Sequence, residues 1–275
     1  MSIFGVGTET YLYVNGLTIN KALLISNNKT LMPVKCKLPL DTISKLIKRD
    51  VDFAIAILCS GSLSSQLKIE AENPKDLAIS AWNAQWDLIL LSAIFNCNCV
   101  CNLQCTQPLE EISSDSALQV TNYHMKGLIN EPYTVTDENC KWINQYFSNA
   151  QALIENDSFM MAVHSMATYK WNPHPRVQLA ILWAGIESLF RINSELSFRI
   201  SLYISKFLSD KNSDEAKKIF DDVKSLYKSR SSAVHGDNIK GDSTTLVVRS
   251  SSLLNRLIVK CIEINGLPDI ENLIY

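Results

Sequence analysis

The stretch Y-K-S-R-S-S-A-V-H-G-D, residues 227–237, sets Arg230 and His235 five positions apart, with Gly236 directly behind the imidazole. His235 is one of four histidines in the chain. Two readings of this spacing are open: a helix end that carries a histidine, or a site built for phosphate chemistry. Glycine is the natural residue just past a helix, and the unsatisfied carbonyls of a last turn favour a cation there. Upstream, Phe220, Val223, Tyr227 and then Val234 make an apolar stripe in steps of three and four, and Arg230 takes the position between the last two. A guanidinium on such a stripe must reach water or find an acceptor. Five residues turn a straight helix by about 140°. Arg230 and His235 then share a pocket only if the arginine reaches round, the last turn unwinds, or a second chain completes the site.

Other residues with chemical potential are placed less suggestively. Cys97, Cys99, Cys101 and Cys105 crowd N-C-N-C-V-C-N-L-Q-C. Zinc sites pair their ligands as C-x2-C or C-x4-C on tight turns, so that four ligands converge. In a strand, alternate side chains stack on one face about 6.5–7 Å apart, too far for one metal. A strand using cysteine as a small apolar residue is the expectation, with no metal and no cofactor. His164 and His174 have no ligand-spaced partners and are expected to be structural, and His124 lies in an unpatterned segment. Nine glycines form no phosphate-cradling loop. Trp82 and Trp86, four apart, are expected in a core rather than as a platform for stacked bases.

The whole chain bounds these readings. Its 275 residues are 47% hydrophobic and 20% charged, the composition of a globular protein with a substantial core. A net charge of −2 is not that of a general polyanion binder, so contact with nucleic acid needs a local basic surface. The N-terminus lacks the basic start and apolar run of a secretion signal. The longest apolar stretch, residues 79–95, is broken by Asn83, Gln85 and Asp87, so no membrane partner is expected. A cytoplasmic location with eight reduced cysteines follows as the expectation.

The elements that must hold the motif divide into two sets. In the first, 11–19 and 22–36 read as strands, the latter a hairpin around Asn27–Asn28. Residues 40–49 read as a short helix, and 51–61 with 64–71 as a strand pair about a Gly-Ser turn. Asn73 caps a helix over 74–94, with Pro74 at its first position and Trp82, Trp86 and Leu90 on one stripe. The cysteine strand follows. This makes residues 1–130 an α/β or α+β domain, with the boundary in the polar segment 113–139. From 135 to 275 the period is helical: Thr136 caps one helix, and others cover 158–170, 177–192, 195–209, 213–235 and 244–264, an all-α bundle.

Set on that helical order, L-Y-K-S-R-S-S-A-V-H-G resembles the Arg-x4-His signature of HEPN domains (higher eukaryote and prokaryote nucleotide-binding), in particular the Apea-like branch. Tyr227, Arg230, Ser231, Val234, His235 and Gly236 carry the match. L-A-I-L-W-A-G-I-E-S-L-F-R-I, with Trp183 and Glu187, is similar to that family's central helix, and S-E-L-S-F-R-I-S-L-Y-I-S-K-F-L to the helix after it. The likeness covers residues 135–275; residues 1–130 resemble no family.

The resemblance implies a HEPN-type bundle, paired as a homodimer, that acts as a metal-independent endoribonuclease. His235 would move a proton as the ribose 2′-hydroxyl attacks the neighbouring phosphate. Arg230 would hold that phosphate and offset its charge. RNA would be left with 2′,3′-cyclic phosphate and 5′-hydroxyl ends. Glu187 is placed to orient Arg230 by an ion pair, an inference from helix faces. Strongly nucleolytic families often carry Asn, Asp or His after the arginine, and Ser231 departs from that pattern. Antiviral defence or a toxin-like stress response is the family's context, with the N-terminal domain as sensor or partner-binding module. The alternative is a non-catalytic HEPN module for dimerisation or for binding a nucleotide or other ligand.

Overall fold

The structure, a computed structural model, describes residues 5–125, 131–192, 196–209, 213–235, 237 and 241–274. The chain packs as two compact units, Met1–Ser92 with Cys97–Ser148, and Ala93–Asn96 with Asn149–Tyr275. An antiparallel sheet region comes first and helices follow, an α+β arrangement and then a helical bundle.

In the first unit the chain forms β1 (Glu9–Asn15), β2 (Leu17–Thr18), β3 (Leu23–Ser26), β4 (Lys29–Pro33), α1 (Leu40–Leu46), α2 (Asp50–Ser60), β5 (Leu63–Glu70), α3 (Pro74–Phe95), β6 (Val100–Cys105), β7 (Leu118–Val120) and β8 (Tyr133–Thr134). Six strands make one sheet in the order β3-β4-β5-β1-β6-β7, every pair antiparallel, and β2 pairs in parallel with β8. Alternation along β1 sorts its side chains. Tyr11 and Tyr13 join Ile43 of α1 and Ala56 and Cys59 of α2 in one apolar cluster. Leu12 lies in register with Leu67 of β5, itself opposite Leu31 of β4, and all three are fully buried. Lys29 shares that second face, where its ammonium meets Asp87 of α3 at 2.5 Å, both side chains nearly sealed from water.

Three expectations for this half need correction, the last of them the cysteine strand. Residues 51–61 form a helix, not a strand. Both long edges of β5 are already taken, by β4 and β1, so a strand at 51–61 has no place beside it. As a helix the segment buries Ala56, Cys59 and Ser60, with Phe53 half-buried on the same side, and Asp50 and Asp52 sit in its first turn, where the helix dipole favours acids. Trp82 is not in a core. The buried stripe of α3 runs Leu77, Ala81, Ala84, Leu88 and Leu91, which leaves Trp82 48% exposed and Trp86 half-buried. α3 is also the one described helix with the length and hydropathy of a membrane span, and 56% of that window is buried.

The four clustered cysteines are buried, but not on one strand. α3 ends at Asn96, which takes a left-handed φ of 48°. Cys97 and Cys99 lie before β6 with their sulfurs 3.5 Å apart, and only Cys101 and Cys105 belong to the strand. The amide of Cys99 donates to Ser92 Oγ at 3.0 Å, which holds this turn against the helix end. Among the described residues no three His, Cys, Asp or Glu groups gather as a metal would need.

The helices that follow are α4 (Asp137–Leu153), α5 (Asp157–Thr168), α6 (Pro175–Phe190), α7 (Leu196–Leu208), α8 (Ser213–His235), α9 (Ser243–Glu263) and a short α10 (Ile270–Ile274). Their starts are written locally. Thr136 Oγ1 accepts from the amide of Asn139 while Asn139 Oδ1 accepts from that of Thr136, a reciprocal cap. Asn156 caps α5, Asp242 caps α9, and His174 caps α6 ahead of Pro175. α6 packs against α5, α8 and α9. A Cβ at Gly185 would sit 2.7 Å from Ser165 Cβ of α5 and 3.0 Å from Leu254 Cδ2 of α9, so glycine is what lets the three helices close. Trp183, fully buried, donates its indole N–H to Ser250 Oγ of α9 at 3.2 Å.

Candidate functional site

α8 supplies the motif helix. Asp214 and Glu215 stand in its first turn, and its buried face runs Ile219, Val223, Leu226, Tyr227 and Ala233. Arg230 lies on that face, its side chain 21% exposed. The stripe then passes to Ala233; Val234, expected to continue it, is 48% exposed. Three residues on lies about 60° to one side of Arg230 and four about 40° to the other, so spacing alone leaves both open and the packed side of α8 takes Ala233. Phe220 is half-buried and meets Phe198 of α7 edge to face.

Arg230 finds its acceptor on α6. Its Nη2 donates to Glu187 Oε2 at 3.0 Å, so the ion pair expected between these helix faces is formed. The guanidinium also stands 5.7 Å from the centre of the Tyr227 ring, which meets Trp183 in a T-shaped contact. Glu187 Oε1 and Arg230 Nε are buried with no hydrogen-bond partner. One donor and one acceptor of the pair are thus left unused in a partly dry setting. Burial raises the Glu187 carboxyl above its ordinary value, and the charge and hydrogen bond of Arg230 draw it back down. Burial likewise raises Tyr227, assisted by the Glu187 charge. Ser231, directly after Arg230, is half-buried.

His235 closes α8, whose backbone is helical from Ser213 to His235. The last turn therefore does not unwind, and the Cα positions of 230 and 235 lie about 140° apart around the axis. The His235 side chain and Gly236 fall outside the described residues. The cation that the structure places at the last carbonyls of the helix comes from α6 and was not foreseen: Arg176 Nη2 donates to Asp237 O at 2.8 Å, and its Nη1 approaches Ser232 O and Ala233 O at 3.4 and 3.5 Å. The sequence holds one sign of this residue: Arg176 stands in the first turn of a helix, where the dipole disfavours a cation.

Two other histidines, His174 and His164, belong to this helical half. His174 Nδ1 accepts the amide N–H of Arg176 at 3.3 Å as the cap of α6. His164 is half-buried on α5, and burial lowers its pKa. Chemically, the site offers a fixed guanidinium with spare donor capacity and a carboxylate that holds it, on a helix that ends in an imidazole-bearing residue. Compared with known proteins, the chain matches no family model, no curated protein and no solved structure.

Proposed function

We propose that the protein is a HEPN-type, metal-independent endoribonuclease whose helical unit works as a homodimer. The observation that carries this reading is the placement of Arg230: a charged side chain on the apolar face of α8, anchored through one nitrogen to Glu187 and 21% exposed. A guanidinium held at one corner keeps other N–H groups for a phosphate, in the fixed geometry that bidentate recognition needs. His235, five residues on, transfers the proton when the 2′-hydroxyl attacks, acting as base or as acid toward the leaving oxygen. Arg230 offsets the charge on the phosphorane as it develops. Glu187 orients Arg230 and does not touch substrate.

A second reading has its own support. The unbroken helix separates residues 230 and 235 about its axis, and the Glu187–Arg230 pair ties α6 to α8, as a structural role for the motif requires. One experiment separates the two. Purified protein is incubated with mixed RNA, and the cut ends are analysed by mass. The nuclease reading expects 2′,3′-cyclic phosphate and 5′-hydroxyl ends, lost by about 100-fold or more in His235→Ala with unchanged melting. A His235→Ala protein that melts lower, from a wild type that cuts no RNA, identifies the motif as structural.

A further inference from the structure

Arg176 breaks a local rule, and the break needs a reason. It sits in the first turn of α6, at the positive end of that helix's dipole, where an acidic residue would be favoured. Its position is nonetheless well defined. His174 accepts the Arg176 amide, Pro175 sets the first helical turn, and Gln178 Nε2 donates to Asn172 O at 2.7 Å. The guanidinium leaves this turn for the far end of α8, where carbonyls point outward without intrahelical partners. There it meets Ser232 O and Ala233 O on one side of residue 235 and Asp237 O on the other. α6 also supplies Glu187, which holds Arg230. One helix thus grips the motif helix at both functional positions, by a carboxylate at the arginine and a guanidinium around the histidine.

We infer that Arg176 is a positioning residue for His235, fixing the backbone on both sides of it through three carbonyls so that the last turn of α8 is held in one conformation. The inference rests on the nuclease reading for the purpose of that fixation, while the clamp itself is open to separate measurement. A lysine could supply the charge at the helix end but not the fork that spans the turn.

The test uses the full chain with Arg176→Ala and Arg176→Lys, followed by amide hydrogen exchange and steady-state RNA cleavage. In Arg176→Ala, exchange at residues 233–235 rises about tenfold while the middle of α8 and the melting temperature stay as in the wild type. The kcat falls about 10–100-fold, because the proton-transfer group is no longer held in register. KM changes less than about twofold, since Arg176 binds backbone and not substrate. Arg176→Lys recovers part of the loss in kcat. Unchanged exchange at 233–235 overturns the clamp, whatever the protein does to RNA. Raised exchange with unchanged kcat overturns the positioning role. A wild type that cleaves no RNA, with exchange still raised in the variant, overturns the nuclease reading and leaves the clamp standing as a structural device.

Discussion

Glu187 and Arg230 carry opposite charges in a place where neither is fully hydrated, and each is the other's main compensation. Because burial raises the Glu187 carboxyl above its ordinary pKa, the folded state binds that proton more tightly than the unfolded chain does. Its contribution to stability is therefore full at acid pH. It declines as pH rises from the ordinary carboxylate value toward the raised folded one. Glu187→Gln should flatten this segment of the stability profile, seen as a smaller difference between urea midpoints at pH 4 and pH 7. Arg230→Ala should act in the opposite sense. With the guanidinium gone, nothing draws the carboxyl back down, and the charged form is stranded. The expected loss is about 1–3 kcal/mol at pH 7, shrinking toward pH 4, where the carboxyl is protonated and needs no cation. An equal loss at both pH values would mean that Arg230 acts through packing against Tyr227 and not through Glu187.

The helix that makes both contacts with the motif helix is itself seated against α5 and α9, and Gly185 sets how closely. Gly185→Ala gains up to about 1 kcal/mol of helix propensity. Against this stands a Cβ forced to 2.7 Å from Ser165 Cβ, an overpacking that costs about 1–3 kcal/mol. The net change should be a loss, measured by urea unfolding. Adding Ser165→Gly, which removes the clashing atom, should make the double variant lose less than the sum of the singles. The sequence made α6 legible as a central helix through its nearly continuous apolar run, and it exposed two helix starts through Asn73 and Thr136. Pattern failed where two elements compete for one period. Val51, Phe53, Ile55 and Ile57 alternate as a strand would, and only the occupied edges of β5 decide for a helix. Trp82 and Val234 were placed inside by helical spacing of apolar residues, although α3 and α8 turn other residues to their cores. The Glu187–Arg230 pair was readable from helix faces. The partners of Arg176 were not, because they are main-chain carbonyls, and its place in a first helical turn hints only that something unusual holds it.

At the scale of the whole molecule, a net charge of −2 over 275 residues offers no long-range attraction for a polyanion, so on the proposed nuclease reading substrate capture rests on few contacts made close to the site. Few contacts place weight on geometry, and geometry within one chain is adverse. α8 is helical through His235, which leaves the Cα positions of residues 230 and 235 about 140° apart around its axis. A two-fold dimer resolves this if each cleft takes Arg230 from one chain and His235 from the other, giving two composite sites related by symmetry. That arrangement has a consequence no single-chain site shares. Arg230→Ala and His235→Ala proteins, each inactive alone, should regain activity when mixed and allowed to exchange subunits. Half of the dimers in an equal mixture are hetero-dimers, and each holds one intact site of two, so the mixture should reach about a quarter of wild-type activity. The recovered activity should vanish on dilution below the dimer dissociation range, followed by sedimentation. A mixture as inactive as its components would place both groups of each site in one chain and require the arginine to reach round its own helix.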